Sequence, residues 1–170
     1  MASMQTLYLL RHAKAEAWQP GVNDHERVLA SRGQRHAEAL ADWMSQELAP
    51  PDQVLCSPSA RTRETLAPIL QRQPELQAVT AFHPGIYEAS VGQLERLAAH
   101  AFQQCAVLLM VGHNPGFEML LRATLADGEL DGIHKMATGT LAVMDFEPDW
   151  DEGLGDGRLR QFVTRHEFDL

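Results

Sequence analysis

Short apolar runs alternate along the chain with stretches whose apolar residues recur at steps of three and four. The runs "LYLL" (7–10), "QVLC" (53–56), "AVTAF" (78–82) and "VLLMVG" (107–112) are bounded by turn residues, the pattern of strands buried in a sheet. After the first run, Ser31 and Gln34 fit a capping box, and Ala37, Leu40, Met44 and Leu48 line one face of the helix it opens. A second helical segment starts near Ser59, and Pro68 is expected to bend or end it. A third covers 91–102, with Leu94, Leu97, Ala98 and Ala101 on one face, and a fourth begins just after Pro115 and Gly116. Strands alternating with helices predict an α/β sandwich with a largely parallel sheet. The runs "TLAVMDF" (140–146) and "LRQFVT" (159–164), on either side of the acidic "EPDWDEGLGDG", predict a closing hairpin.

No internal repeat or linker breaks the pattern, so the 170 residues are read as one domain over 1–170. Fourteen Lys and Arg against 23 Asp and Glu give a formal net charge of −9, which argues against a nucleic-acid partner. Positive charge for an anionic ligand must then be local. The N-terminus lacks the features of a signal peptide, and no apolar run approaches the ~18 residues of a membrane span, so the expected location is cytoplasmic, with no membrane partner. Cys56 and Cys105 lack metal-ligand spacing and are expected to be reduced and buried.

In an open α/β sheet, ligands collect beyond the carboxyl ends of the strands. Three such ends carry unusual polar groups: "LLRHA", "LCSPSARTRET" and "VGHNPG". If these ends adjoin, Arg11, His12, Arg61 and His113 converge. A guanidinium fork holds phosphate or carboxylate oxygens two at a time, and a neutral imidazole beside such an anion is a nucleophile.

With "LRHA", "SPSARTRET" and "VGHNPG" in this order, the chain resembles the histidine phosphatase (phosphoglycerate mutase-like) superfamily. Its length and the segment "DHERVLASRG" are similar to those of the small SixA-type phosphohistidine phosphatases. The resemblance implies a three-layer α/β/α sandwich around a largely parallel sheet. It also implies a reaction in which Arg11 and Arg61 grip a phosphoryl group, His12 attacks phosphorus, and His113 binds the oxygens as they gain charge. No metal or other cofactor is implied. In the family this Arg-His pair is usually followed directly by glycine; Ala13 adds a methyl group there.

Glu88, in "GIYEAS", falls where many members of the family carry the acid that protonates the leaving group. Lys14, Arg27 and Arg32 lie in or near the loop over the site; Lys14 and Arg27 are candidate substrate contacts, with solvated surface charge as the plainer reading. His25, His36, His83, His100, His134 and His166 show no paired spacing and are read as surface or packing residues. Cysteine-dependent phosphatases place five residues between their nucleophile and its arginine. Here four separate Cys56 from Arg61 and six separate it from Arg63, so Cys56 is read as a strand end. The Asp-rich "DWDEGLGDG" lacks the ligand spacing of a calcium loop and reads as a turn.

The short chain leaves little room for a lid, which favours a phosphohistidine side chain of another protein as substrate. A small phosphate ester is the alternative within enzymes, and a phosphohistidine-binding module without turnover is the alternative outside them.

Overall fold

The computed structural model describes residues 4–147 and 153–170. Six strands form one sheet: β1 (Gln5–Arg11), β2 (Gln53–Cys56), β3 (Thr80–Phe82), β4 (Val107–Gly112), β5 (Leu141–Phe146) and β6 (Arg158–Val163), in the spatial order β3-β2-β4-β1-β5-β6. The first four run parallel, whereas β5 is antiparallel to β1 and to β6. Four helices connect them: α1 (Ser31–Glu47), α2 (Ala60–Arg72), α3 (Val91–Phe102) and α4 (Gly116–Thr124).

The period-two alternation of the strands builds two cores. On one face Leu7 and Leu9 of β1, with Leu108 and Met110 of β4, pack against Leu94 and Ala98 of α3 and Phe117 and Leu120 of α4. On the other, Tyr8 and Leu10 of β1, with Leu109 and Val111 of β4, pack against Leu40 and Met44 of α1 and Leu66 and Ile69 of α2. Strands covered on both faces read as continuous apolar runs, and the three layers follow.

Four local expectations need correction. Ser31 does not cap α1: Ala30 is the N-cap without a side-chain bond, and its N–H donates to the Lys14 carbonyl at 2.9 Å. The first turn is held by a backbone approach, because a Cβ on Gly33 would collide with that same carbonyl. Leu48 is the C-cap of α1 and only half-buried. Pro68 does not end α2, which continues to Arg72 with Pro68 buried inside it. The run 78–82 is no buried strand. Residues 74–79 form a 3-10 turn, and β3 is a three-residue edge strand with Phe82 exposed, since only β2 flanks it. Edge position relieves a strand of the need to be apolar on both faces.

Both cysteines are free; Cys56 is buried as expected, whereas Cys105 is only partly so. The closing hairpin forms from β5 and β6 with a bulge between Val143 and Met144. Of its expected acidic turn, residues 148–152 lie outside the described residues. No helix among the described residues is long and apolar enough to cross a membrane.

Candidate active site

Strand order brings the three polar strand ends together. β4 lies between β1 and β2, with Arg11 in register with Gly112 and Cys56 in register with Val111. The ladder then runs one residue past each strand: the His12 N–H donates to the Gly112 carbonyl at 3.0 Å and the Ser57 N–H to that of Val111 at 3.0 Å. Because the connections from β1 to β2 and from β3 to β4 pass on opposite faces of the sheet, a crevice opens at these carboxyl ends.

His12 and His113 face each other there, with ring centroids 5.4 Å apart and planes tilted by 58°. Both rings are buried. Nδ1 of His12 is 2.7 Å from the Ala13 carbonyl, which accepts only, so this nitrogen carries the hydrogen and Nε2 of the neutral ring keeps its lone pair. Burial, reinforced by the charges of Arg61, Arg11 and Arg27, pushes the His12 pKa down to about 4. His113 is pushed down to about 3, first by burial and then by Arg61 and His12. Both imidazoles are therefore neutral near pH 7.

His113 Nε2 lies 2.7 Å from the hydroxyl of Ser57, a fully buried residue. Arg61 projects from the first turn of α2, which Ser59 caps by accepting from the Thr62 N–H. Its guanidinium is only 6% exposed and is turned onto Asp24: Nη1 donates to the Asp24 carbonyl at 2.7 Å and Nη2 to the carboxylate at 3.0 Å. Tyr87 O–H donates to the same carboxylate oxygen at 2.7 Å, and Arg27 donates to the other through Nε and Nη2. Those bonds hold the Asp24 pKa down to about 2: the Tyr87 hydroxyl has the largest effect, burial opposes it next, and Arg61 and then Arg27 add to the fall. Asp24, Arg61, Tyr87, Glu88, His113 and Asn114 line a cavity of about 350 Å³.

Arg11 sits at the end of β1, where Nη1 donates to the Met136 carbonyl at 2.9 Å. Among the described residues, five buried side-chain atoms lack a hydrogen-bond partner: His36 Nε2, Thr140 Oγ1 and, at the strand ends, Arg11 Nε, Arg61 Nε and His113 Nδ1. A buried unpaired polar group costs roughly 1–3 kcal/mol, so this concentration of unmet polarity in one crevice calls for a polar ligand. Ala13 fits without distortion. It is fully buried, is not among the residues with positive φ, packs its methyl with Leu29 and Ala37, and donates its N–H to Thr65 Oγ1 at 3.0 Å.

Glu88 lies on the cavity wall with its backbone in the left-handed region, φ 56°. Such a conformation costs an ordinary side chain about 1–2 kcal/mol, and strain of this kind gathers at functional sites. Lys14 and Arg32 are exposed, and among the described residues their side chains make no hydrogen bond or ion pair. Neither lines the cavity. Arg27 is hydrogen-bonded to the site through Asp24, and its charge also helps lower the His12 pKa. Burial raises the Cys56 thiol to about 12, so its thiolate is suppressed.

Sequence reasoning passed over Asp24, Ser57 and Tyr87, although all three stand inside the stretches "DHERVLASRG", "SPSARTRET" and "GIYEAS". Their partners are 37 to 63 residues away in the chain, beyond the reach of any local pattern. His25 also borders the site, its ring 5.0 Å from Tyr87 in an edge contact.

The parallel core, the antiparallel closing strands and the crevice at the carboxyl ends define a phosphoglycerate mutase-like α/β protein. Residues 7–107 match the model of the histidine phosphatase superfamily (branch 1), and the chain belongs to that superfamily. It is 30% identical to a structure from Agrobacterium tumefaciens assigned as phosphohistidine phosphatase SixA, over 94% of this chain and 97% of that one, with a TM-score of 0.82. A similarly assigned structure from Nakamurella multipartitia is 28% identical over 96% and 97% of the two chains, TM-score 0.80. The uncharacterized protein Rv1276c of Mycobacterium tuberculosis is 35% identical over 106 residues, 62% of this chain. The matched part spans 63% of that relative's length.

Proposed function

We propose that the protein is a phosphatase that works through a phosphohistidine intermediate on His12 and acts on phosphohistidine in another protein. The observation that carries this reading is the state of His12: a buried, neutral ring whose Nδ1–H is held by the Ala13 carbonyl, with Nε2 free and arginines on its flanks. Such a ring is a nucleophile without prior loss of a proton. Transfer of phosphorus to Nε2 makes the ring cationic, and the Ala13 carbonyl stabilises that cation through the Nδ1–H. Water then attacks phosphorus, the N–P bond breaks, and its electron pair returns to Nε2.

Phosphoryl transfer asks of a protein mainly alignment and charge stabilisation. Arg11 and Arg61 supply guanidinium forks for the oxygens. For His113 to donate to a phosphoryl oxygen it must carry its hydrogen on Nδ1, and the Ser57 hydroxyl, 2.7 Å from Nε2 and able to donate or accept, is the group that can donate to Nε2 in that tautomer. The similarity to SixA-type structures and the open mouth, where Glu88 is exposed and the Asp24 side chain is 41% exposed, support a protein-borne substrate.

The test is to mix the enzyme briefly with a 32P-labelled phosphohistidine protein and quench. The label is expected on His12, acid-labile and base-stable, and absent from His12→Ala, which should not turn over. Substantial hydrolysis by His12→Ala would remove the mechanism. Parallel assays with a sugar phosphate and an aryl phosphate decide between a protein and a small-ester substrate, and binding without release of phosphate would mark a binding module.

A further inference from the structure

A carboxylate that grips a phosphate-binding arginine is a cost to a site that must receive an anion. Asp24 lies on the cavity wall and occupies both Nη atoms of Arg61, one through its carbonyl and one through its carboxylate. Were it a strut alone, a neutral amide would bridge Arg61 and Tyr87 as well without repelling phosphate. Resting on the phosphatase reading above, we propose that Asp24 determines the leaving group: its carboxylate accepts the N–H of a protonated imidazole bound to phosphorus, and so favours phosphohistidine over phosphate esters.

The two halves of the substrate then exchange partners with the protein. A phosphoryl oxygen takes Arg61 from Asp24, and the substrate's ring N–H takes the carboxylate oxygen that Arg61 leaves. Tyr87 O–H, 2.7 Å from that oxygen, and Arg27, on the other oxygen at 3.1 and 3.2 Å, keep the carboxylate in place during the exchange. A phosphate ester completes only the first half and leaves Asp24 short of a cation beside an added dianion.

The chemistry balances without an acid. The substrate is an imidazolium carrying a phosphoryl dianion, and His12 enters neutral. The bond from Nε2 to phosphorus forms, the bond from phosphorus to the substrate nitrogen breaks, and its electron pair stays on that nitrogen. The departing ring is neutral because it already held its proton on the far nitrogen. His12 takes over the positive charge, and water then converts it to neutral His12 and dihydrogen phosphate. By pairing with the far N–H, Asp24 keeps the bound substrate in its protonated, departing form to higher pH. The charged and titratable groups around it are Arg61 on α2, Arg27 and His25 on its own segment, Tyr87 and Glu88 before α3, and His113 after β4.

The experiment compares N-phosphoimidazole with phenyl phosphate, small probes that exclude docking of a carrier protein, in the parent enzyme and in Asp24→Asn. The ratio of kcat/KM for phosphoimidazole over phenyl phosphate is expected to fall at least tenfold, and this ratio is independent of the folded fraction. The alkaline limb of kcat for phosphoimidazole should also move to lower pH, which loss of a strut does not produce. Equal losses on both probes, or no loss on phosphoimidazole, would overturn the assignment. A parent enzyme that hydrolyses phenyl phosphate alone overturns it too while leaving the phosphatase reading intact; one that hydrolyses neither overturns both.

Discussion

The rings of His12 and His113 stand 5.4 Å apart at the meeting of β1 and β4, and neither carries a charge near neutral pH. Two imidazolium ions at that separation, beside two guanidiniums, would repel each other in a poorly solvated crevice. Neutrality lets the pair divide its work, with a lone pair on one ring and a hydrogen-bond donor on the other.

This pairing has a pH signature. Imidazole 15N NMR should show His12 neutral and Nδ1-protonated at pH 5.5, where an ordinary histidine is mostly charged. Stability should follow. Between pH 6.5 and about 4 the unfolded chain binds a proton at His12 that the folded chain refuses, so the fold weakens as pH falls through that window. The loss attributable to His12 alone is on the order of 3 kcal/mol by pH 4. Urea melts of the parent and His12→Gln check it. A substitution that leaves the pH slope unchanged would mean that His12 titrates normally in the folded protein.

Ser57→Ala removes the hydroxyl that faces His113 Nε2 at 2.7 Å and leaves that nitrogen with no side chain to set the tautomer. The expected result is a fall in kcat of ~10-fold or more, with NMR showing a changed His113 tautomer. Thr62, which donates to the Ser57 carbonyl, is untouched, so the loop itself should hold. A normal rate with a changed tautomer would separate His113 from the reaction.

Arg61→Lys preserves the charge and discards the fork. Asp24 would lose the paired contacts to its carbonyl and carboxylate, and a phosphoryl group its planar partner. A fall of about 10²-fold or more in kcat/KM is expected, as for removal of one transition-state donor. An unchanged kcat/KM would place Arg61 outside the chemistry.

How much of this was legible in the sequence follows from the range of each interaction. Strand ends such as "LLRHA" and "VGHNPG" are local facts: an apolar run stops, and the next side chains must lie at a sheet edge. The span of α3 was readable from the recurrence of Leu94, Leu97, Ala98 and Ala101, and the structure adds a capping box of Ser90 and Gln93 within its first turn. Ser31 offered the same signal and was overridden by a backbone contact between Lys14 and Gly33 that no local rule contains. Residues 78–82 misled for a similar reason, since composition does not reveal that a strand lies at an edge. Asp24 was the hardest to see. Its segment shows four acidic or basic residues in a row, 24–27, yet only the fold reveals that Asp24 meets Arg61 and Tyr87.

Glu88 supplies the sharpest test of substrate class. In phosphohistidine the departing group is a neutral imidazole, a weak base whose conjugate acid has a pKa near ~6.5, so it leaves near neutral pH with little help. An alkyl phosphate must expel an alkoxide unless an acid protonates the oxygen in the transition state, a contribution of typically ~10²–10⁴-fold. Glu88 stands on the wall of the cavity that Arg61 and His113 line, held at φ 56° where a flexible loop residue would relax. Glu88→Gln keeps size and backbone and removes the proton. Its effect belongs in kcat/KM, which reports formation of the phosphoenzyme and excludes the hydrolysis step that all substrates share. For an alkyl phosphate kcat/KM should fall by ~10²-fold or more, and for a phosphohistidine protein by only several-fold. Glu88→Gly adds a control on the backbone: freed of its left-handed strain, it should be as stable as the parent or gain up to about 1 kcal/mol, while losing the alkyl phosphate as Gln does. Equal losses on both substrates would make Glu88 a group that orients the phosphoryl or the water, and no loss on either would make it a surface carboxylate.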